Sequence, residues 1–151
     1  MLLGEYTGLR AIEEDDLEQL LVWRNDPAMR RYFREYRELS MANQRAWYES
    51  KVLGDPATRM FAIVERGTEQ LIGAAGLCYI DFINRNADFS IYIGADDLYI
   101  DDELAPDAGR VLLKYGFEEL HLHKVWAEIY SIDDAKQRLF YELGFAREGV
   151  H

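Results

Sequence analysis

The sequence predicts a mixed α/β domain in which a hairpin starts one sheet and strand-helix-strand crossovers extend it. Two apolar segments, residues 60–65 and 70–80, flank a polar turn at residues 66–69 and indicate the hairpin. An alternating strand at residues 87–93, followed by alternating helical and strand-like segments, indicates the crossovers. The expected order is strand, two helices, three strands, helix, strand, helix and strand, in a single domain over residues 1–151.

Local signals predict the first half of this order. Residues 7–12 are apolar and branched, which favours a strand, and the acidic residues 13–16 suit the positive end of the helix that follows. Asp26-Pro27 ends this helix, because a residue before proline is pushed out of the helical region. Ser40 is then the expected N-cap of the second helix.

The second half predicts a helix at residues 102–120, a strand at residues 124–130 and a helix at residues 133–143 that Gly144 stops. Residues 145–151 begin one more strand, which is so short that the fold can lack its last strand. An incomplete strand leaves an unpaired sheet edge. We therefore expect either a homodimer through the C-terminal strand edge or a chain whose C-terminal tail is missing from this sequence.

The composition is acidic, with a formal net charge of −11 and a pI of about 4.7. It argues against nucleic acid as a partner, because phosphate binding needs clustered Lys and Arg. The acids either attract a cationic amine substrate or only keep the protein soluble. Cys78 is the only cysteine, and no stretch has the length and hydropathy of a signal or membrane span. We expect a cytoplasmic protein that binds no membrane.

Four motifs in this order resemble those of the GNAT superfamily of N-acetyltransferases, and most closely its ribosomal-protein N-terminal acetyltransferase-like branch. They are WRND at residues 23–26, ADFSIYIG at 87–94, LHKVWAEIY at 122–130 and LFYELGF at 139–145. The resemblance implies direct attack of a primary amine, on a small molecule or a protein N-terminus, on the acetyl group of acetyl-CoA. It implies acetyl-CoA as co-substrate and no metal.

The resemblance also implies where acetyl-CoA binds. The strand at residues 89–94 would run beside the pantetheine arm, and the start of the following helix would cradle the pyrophosphate. Asp133 matches the asparagine that usually precedes the last helix. The cofactor-binding residues expected on this basis are Ile91, Tyr92, Ile93, Leu104, Ala105, Asp107, Ala108, Arg110 and Asp133.

The chain departs from the family at this helix start, where a basic residue or glutamine and two glycines are usual. Five carboxylates lie between Gly94 and Leu104, and Pro106 removes one backbone donor. Either the acids point away and the backbone holds the cofactor with Arg110 and Lys114, or the acids cap the helix and compete with phosphate. The second case favours an alternative function, a GNAT-fold binding or regulatory module with a degenerate, non-catalytic coenzyme A site.

Three residues are candidates for catalysis. Asp88 and Glu128 lie on the polar faces of their strands, where either can accept the amine proton, although Asp88 is equally well interpreted as a solvated strand-end acid. The family's thiolate-protonating tyrosine is replaced by Phe140, so the candidate is Tyr141. One helical step turns it by about 100°, and packing is its alternative role.

The expected acceptor-binding residues lie in the first third of the chain. Residues 29–39 are aromatic and basic, and form either a substrate lip or a solvated connection. The candidates chosen by position are Trp23, Arg24, Tyr32 and Arg34. No metal site is expected.

Overall fold

The computed structural model describes residues 1–149, which form a six-stranded sheet in the order β1 to β6 with helices on both faces. The strands are β1 (Leu2–Leu3), β2 (Thr7–Ala11), β3 (Arg59–Glu65), β4 (Leu71–Asp81), β5 (Asn86–Ile93) and β6 (Lys124–Trp126). The helices are α1 (Leu17–Asn25), α2 (Pro27–Arg30), α3 (Met41–Trp47), α4 (Leu104–Lys114) and α5 (Asp134–Glu142), with π-helical turns after α3 (Tyr48–Leu53) and α4 (Tyr115–Glu119). The predicted mixed α/β fold is confirmed, with β1 and α2 as additions.

The sheet opens between its last two strands. Strands β1 to β5 are antiparallel to their neighbours, and β6 runs parallel to β5. The parallel pairing ends where Asp88 lies opposite Trp126, while β5 continues to Ile93. The strand predicted at residues 124–130 is therefore too long, because the chain leaves β5 after Trp126 and loses its hydrogen-bonding partner.

Strand β5 is held on both faces. Phe89, Ile91 and Ile93 belong to the core under α4 and α5, whereas Tyr92 belongs to the core under α1 to α3. Neighbouring side chains of a strand point to opposite faces, so a helical layer on each side keeps six of the eight residues of the strand buried. The packing fixes the position of β5 and leaves its outer edge open.

The C-terminal segment differs from the prediction. Helix α5 ends as expected, because Gly144 adopts a left-handed φ of +96° that suits glycine. Residues 145–149 form no strand, and most of them lack the branched or aromatic side chains that favour one. Val150 and His151, the end of the predicted strand, lie outside the described residues.

Asp107 ties α4 to the N-terminal strands. Its carboxylate accepts hydrogen bonds from the backbone N–H groups of Glu5, Tyr6 and Thr7 at 2.9 to 3.1 Å, and from the Thr7 hydroxyl at 2.6 Å. Burial alone would raise the pKa of Asp107, but these hydrogen bonds outweigh it and hold the pKa below its usual range. The prediction that Asp107 binds a cofactor needs correction, because the protein's own donors saturate its oxygens.

We predict that Asp107→Asn lowers the free energy of unfolding by about 2 kcal/mol at neutral pH, since an amide replaces one acceptor oxygen with a donor. The folded-state pKa of Asp107 is lowered. Its contribution is therefore present above the unfolded pKa of about 3.9, and is lost as the pH falls through the folded pKa. Urea unfolding at neutral and acid pH should show the difference between variant and wild type shrinking in acid.

Asp102→Asn is the matched control, because Asp102 is exposed and the charge change is the same. We expect it to stay within about 0.5 kcal/mol of the wild type. Equal losses in the two variants would contradict the anchoring role of Asp107.

Candidate active site beside the open edge of β5

A cleft of about 1800 Å³ lies where β5 and β6 separate. Its walls come from β5, the segment after β6, α5 and the connection between α2 and α3. Most residues predicted for the site line this cleft: Arg24, Tyr32, Arg34, Asp88, Ile91, Tyr92, Glu128, Asp133 and Tyr141. The other predicted residues are not among its lining: Trp23, Ile93, Leu104, Ala105, Asp107, Ala108 and Arg110.

The open edge of β5 presents the backbone groups of Ile91. Gly94 donates its N–H to a β4 carbonyl at 2.8 Å, whereas Ile93 donates its N–H away from β4, to the Tyr99 carbonyl at 2.6 Å. Backbone groups of an antiparallel strand alternate between its two edges, so Ile91 points to the open edge and Tyr92 points to β4. The prediction that the Tyr92 backbone faces a cofactor is corrected by this alternation.

The protein's own acid caps the first turn of α4. The Asp101 carboxylate accepts hydrogen bonds from the N–H groups of Leu104 and Ala105 at 2.7 and 2.8 Å, and from that of Glu103 at 3.2 Å. The sequence left two cases open for these acids. The structure has the one in which the helix start is self-capped.

The site therefore fits acetyl-CoA unevenly. The open edge of β5 suits a pantetheine arm, because the arm carries amides that can pair with a strand. The start of α4 does not suit a pyrophosphate in this conformation, because Asp101 uses its N–H groups and adds negative charge. Ala105 and Ala108 have fully buried side chains, so only their backbone can meet a cofactor, and Arg110 is exposed outside the cleft lining. The cofactor contacts predicted for these residues stay predictions.

Asp88 and Glu128 share one guanidinium. Arg34 Nη2 lies 3.3 Å from Asp88 Oδ2 and 3.7 Å from Glu128 Oε2. The Asp88 side chain is buried, whereas those of Arg34 and Glu128 are 52% and 61% exposed. Burial raises the pKa of Asp88; Arg34 opposes this shift and the Glu128 charge adds to it. Asp88 is thus not a solvated strand-end acid, and the two carboxylates form a subsite that holds a cation.

The connection between α2 and α3 lies against both sides of the cleft. Tyr32 stacks on Tyr99 after β5, with ring centroids 4.5 Å apart. Tyr36 Oη lies 2.9 Å from Tyr130 Oη on the segment after β6. With Arg34 between these contacts, the connection borders the cleft, and its role as a substrate lip stays a prediction.

Two predicted acceptor residues have structural partners. Trp23 packs against Gly94, where an added side-chain carbon would collide with the indole, so Trp23 is a core residue and its predicted acceptor contact is corrected. Arg24 donates to Gln44 Oε1 at 2.6 Å and lies 5.1 Å from the Trp47 ring centroid. Burial lowers the pKa of Arg24, which still lines the cleft.

Helix α5 brings a phenylalanine and a tyrosine to the site in different ways. Phe140 is buried, with ring centroids 5.3 Å from Phe89 and 4.9 Å from Phe145. Tyr141 is 84% exposed and lines the cleft, so its alternative role in packing is wrong. Phe140 does the packing, and the Tyr141 hydroxyl is open to solvent and ligand.

Sequence reasoning missed Lys136, which lines the cleft, and Tyr99, which contacts the lining residues Tyr32 and Asp133. Tyr99 is buried and donates its hydroxyl to Asp133 at 2.5 Å. Lys136 Nζ lies 5.8 Å from the Tyr99 ring centroid, and burial lowers its pKa. The available signal for Lys136 was its position four residues before Phe140, on the same face of α5. Tyr99 lies in a loop that has no periodic signal.

The described residues also bear on metals and membranes. Within residues 1–149, no group of three or more His, Cys, Asp or Glu side chains is positioned to hold a metal ion. Over the same residues, every helix falls short of the length and apolar character needed to cross a bilayer.

Comparison with known proteins gives a consistent result along nearly the whole chain. Residues 7–146 match the family model described as the acetyltransferase (GNAT) domain. A spermidine N(1)-acetyltransferase of Vibrio cholerae is 30% identical over 141 residues, which cover 93% of this chain and 79% of that protein. The uncharacterized N-acetyltransferase p20 of Bacillus licheniformis is 24% identical over 151 residues, which cover 99% of this chain and 84% of that protein.

Solved structures agree with the sequence relatives. The crystal structure of the Vibrio cholerae spermidine N-acetyltransferase in complex with CoA and spermine has a TM-score of 0.86 and 28% identity, covering 95% of this chain and 83% of that one. A dodecameric structure of spermidine N-acetyltransferase from Vibrio cholerae has a TM-score of 0.77 and 28% identity, covering 95% and 81%.

Proposed function

We propose that this chain, which belongs to the GNAT family of acetyltransferases, transfers an acetyl group from acetyl-CoA to a primary amine of a polyamine. Its relatives and its fold make it an N-acetyltransferase. What we propose is the identity of the acceptor and the catalytic roles of the residues in the cleft. The observation that carries it is the contact of Arg34 with Asp88 and Glu128, in which two carboxylates already hold an organic cation.

The relatives favour a polyamine over a protein N-terminus. The motifs pointed to the ribosomal-protein branch, but the relatives are spermidine acetyltransferases and uncharacterized N-acetyltransferases. The superfamily is confirmed and the branch is not supported. Relatives with these names also give no support to the alternative of a non-catalytic binding module. The net charge of −11 suits a polycationic acceptor.

In this proposal, one residue of the cleft removes a proton from the amine and another donates a proton to the thiolate. Asp88, with its raised pKa, accepts the proton of the attacking amine directly or through water. Glu128, more exposed, holds the ammonium as it arrives. Acetyl-CoA supplies the acetyl thioester when bound. Tyr141, the exposed tyrosine on α5, is assigned the proton for the departing thiolate.

The acceptor must replace Arg34 between the two carboxylates. An ammonium and a guanidinium carry the same charge, so the exchange leaves neither carboxylate unpaired. Arg34 is half exposed and lies in an irregular connection, so its side chain can swing into solvent without disturbing the core. Arg34 therefore marks the acceptor position and competes for it.

We predict that Asp88→Asn lowers kcat/KM for spermidine by about 100-fold or more, because the variant lacks the proton acceptor. The base acts when deprotonated and burial raises its pKa, so the acid limb of the wild-type profile should lie above the ordinary aspartate pKa of about 3.9. Release of coenzyme A, followed from acid to alkaline pH, measures both effects.

The control for Asp88→Asn is Glu119→Gln, which neutralises an exposed acid outside the cleft and should leave kcat/KM unchanged. If Asp88→Asn keeps the wild-type kcat/KM and the acid limb of the wild-type pH profile, Asp88 is not the proton acceptor.

We predict that Tyr141→Phe lowers kcat by about 100-fold with little change in the KM for spermidine, because the phenol acts only when the thiolate leaves. Steady-state kinetics with saturating acetyl-CoA separate the two constants. Tyr6→Phe removes the hydroxyl of an exposed tyrosine remote from the cleft and serves as the control. Equal kcat values for the two variants would rule out Tyr141 as the proton donor.

We further propose that the chain self-associates, as the dodecameric relative does. The cytoplasmic location expected from the sequence stays a prediction. The predicted C-terminal strand edge loses its basis, because residues 145–149 form no strand. The tip of the β4–β5 hairpin is a better surface for self-association, since Tyr79, Phe82 and Ile83 are 65%, 50% and 91% exposed there.

Light scattering should show a smaller particle for Ile83→Asp than for the wild type, because the charge would disrupt an apolar contact between copies. A monomeric wild type would contradict self-association.

A further inference from the structure

We propose that the loop after β5, residues 94–103, is a built-in competitor of coenzyme A, in which Tyr99 and Asp101 occupy polar contacts that the cofactor needs. The inference rests on the proposed use of acetyl-CoA and assigns two residues that set its affinity. Three hydrogen-bonding contacts of this loop carry it.

The first contact lies at the end of the open edge of β5. The Ile93 N–H donates to the Tyr99 carbonyl at 2.6 Å, in an isolated antiparallel bridge. An amide carbonyl of a pantetheine arm that ran along β5 would need the same kind of strand-edge donor. The loop therefore takes the donor nearest to α4 and leaves Ile91 open.

The second contact lies at the start of α4. The Asp101 carboxylate accepts from the N–H groups of Leu104 and Ala105 at 2.7 and 2.8 Å. Carboxylates and phosphates are both oxyanions that the first N–H groups of a helix stabilise. A pyrophosphate cannot use these donors while Asp101 holds them.

The third contact links the loop to the start of α5. The Tyr99 hydroxyl donates to Asp133 at 2.5 Å, and Asp133 also caps α5 by accepting from the Lys136 N–H at 3.1 Å. The Tyr99 ring stacks on Tyr32 with centroids 4.5 Å apart. Tyr99 thus bridges from the loop after β5 to the start of α5.

The backbone conformation of the loop favours opening of the loop. Asp96, Asp97 and Tyr99 have φ values of 54°, 56° and 55°, in the left-handed region that residues other than glycine adopt only when their surroundings hold them. The contacts of Tyr99 and Asp101 provide this hold. Weakening either contact shifts the balance toward an open loop, which is the state that admits the cofactor.

Titration calorimetry with coenzyme A tests the inference. Asp101→Asn keeps a capping oxygen for α4 and removes the charge, and Tyr99→Phe keeps the ring and removes the hydrogen bond to Asp133. Each variant should bind coenzyme A about 3- to 10-fold more tightly than the wild type. Asp102→Asn makes the same charge change at an exposed neighbour and should bind like the wild type.

Weaker binding by Asp101→Asn would overturn the inference, because Asp101 would then be part of the cofactor site. Equal gains for Asp101→Asn and Asp102→Asn would also overturn it, because the effect would be one of net charge. Thermal unfolding reports whether each variant is folded. Tyr99→Phe leaves α4 capped. If Asp101→Asn does not fold, the affinity of Tyr99→Phe for coenzyme A tests the inference alone.

The same experiment separates the inference from the proposed function. If the wild type binds coenzyme A and acetylates spermidine while neither Asp101→Asn nor Tyr99→Phe binds more tightly, the inference fails and the function stands. If neither the wild type nor any variant binds millimolar coenzyme A, both fail.

Discussion

The separation of β5 from β6 after Asp88 is the constraint on which the rest of the site depends. Helices pack on both faces of β5, so the strand cannot follow β6 and its outer edge stays free. Backbone groups on a free edge inside a protein need a partner. The Tyr99 carbonyl satisfies the end of this edge, and the cleft leaves Ile91 to a ligand.

Two carboxylates near the start of α4 have different roles, because one accepts hydrogen bonds from residues distant in the sequence and the other from its near neighbours. Asp107 binds donors at residues 5–7, so it holds α4 against the N-terminal strands. Asp101 binds only the backbone two to four residues ahead, and those donors stay in place whichever anion they hold. The first bond fixes the scaffold; in our proposal, the second is exchanged for a ligand. We propose the same kind of exchange for the Asp88–Arg34 pair, with the acceptor amine as the incoming group.

Local chemistry made much of the fold predictable from the sequence. The Ser40 cap, the β3–β4 hairpin and the stop at Gly144 depend on neighbouring residues, and each is found. The end of β6 depends on where the sheet opens, which the alternation in residues 124–130 does not encode. The role of Asp107 depends on donors 100 residues away, and the bridge from Tyr99 to Asp133 joins two loops. Contacts of this kind are tertiary, and no periodicity in the sequence indicates them.

The most direct test of the central claim, that the open edge of β5 binds acetyl-CoA, is amide hydrogen exchange measured by nuclear magnetic resonance with and without the cofactor. We expect the Ile91 amide to exchange more slowly when acetyl-CoA is present, because the arm would accept a hydrogen bond from it. The Tyr92 amide faces β4 in both states and should not change. Acetyl-CoA binding that leaves Ile91 unprotected, or no binding at all, would contradict the account.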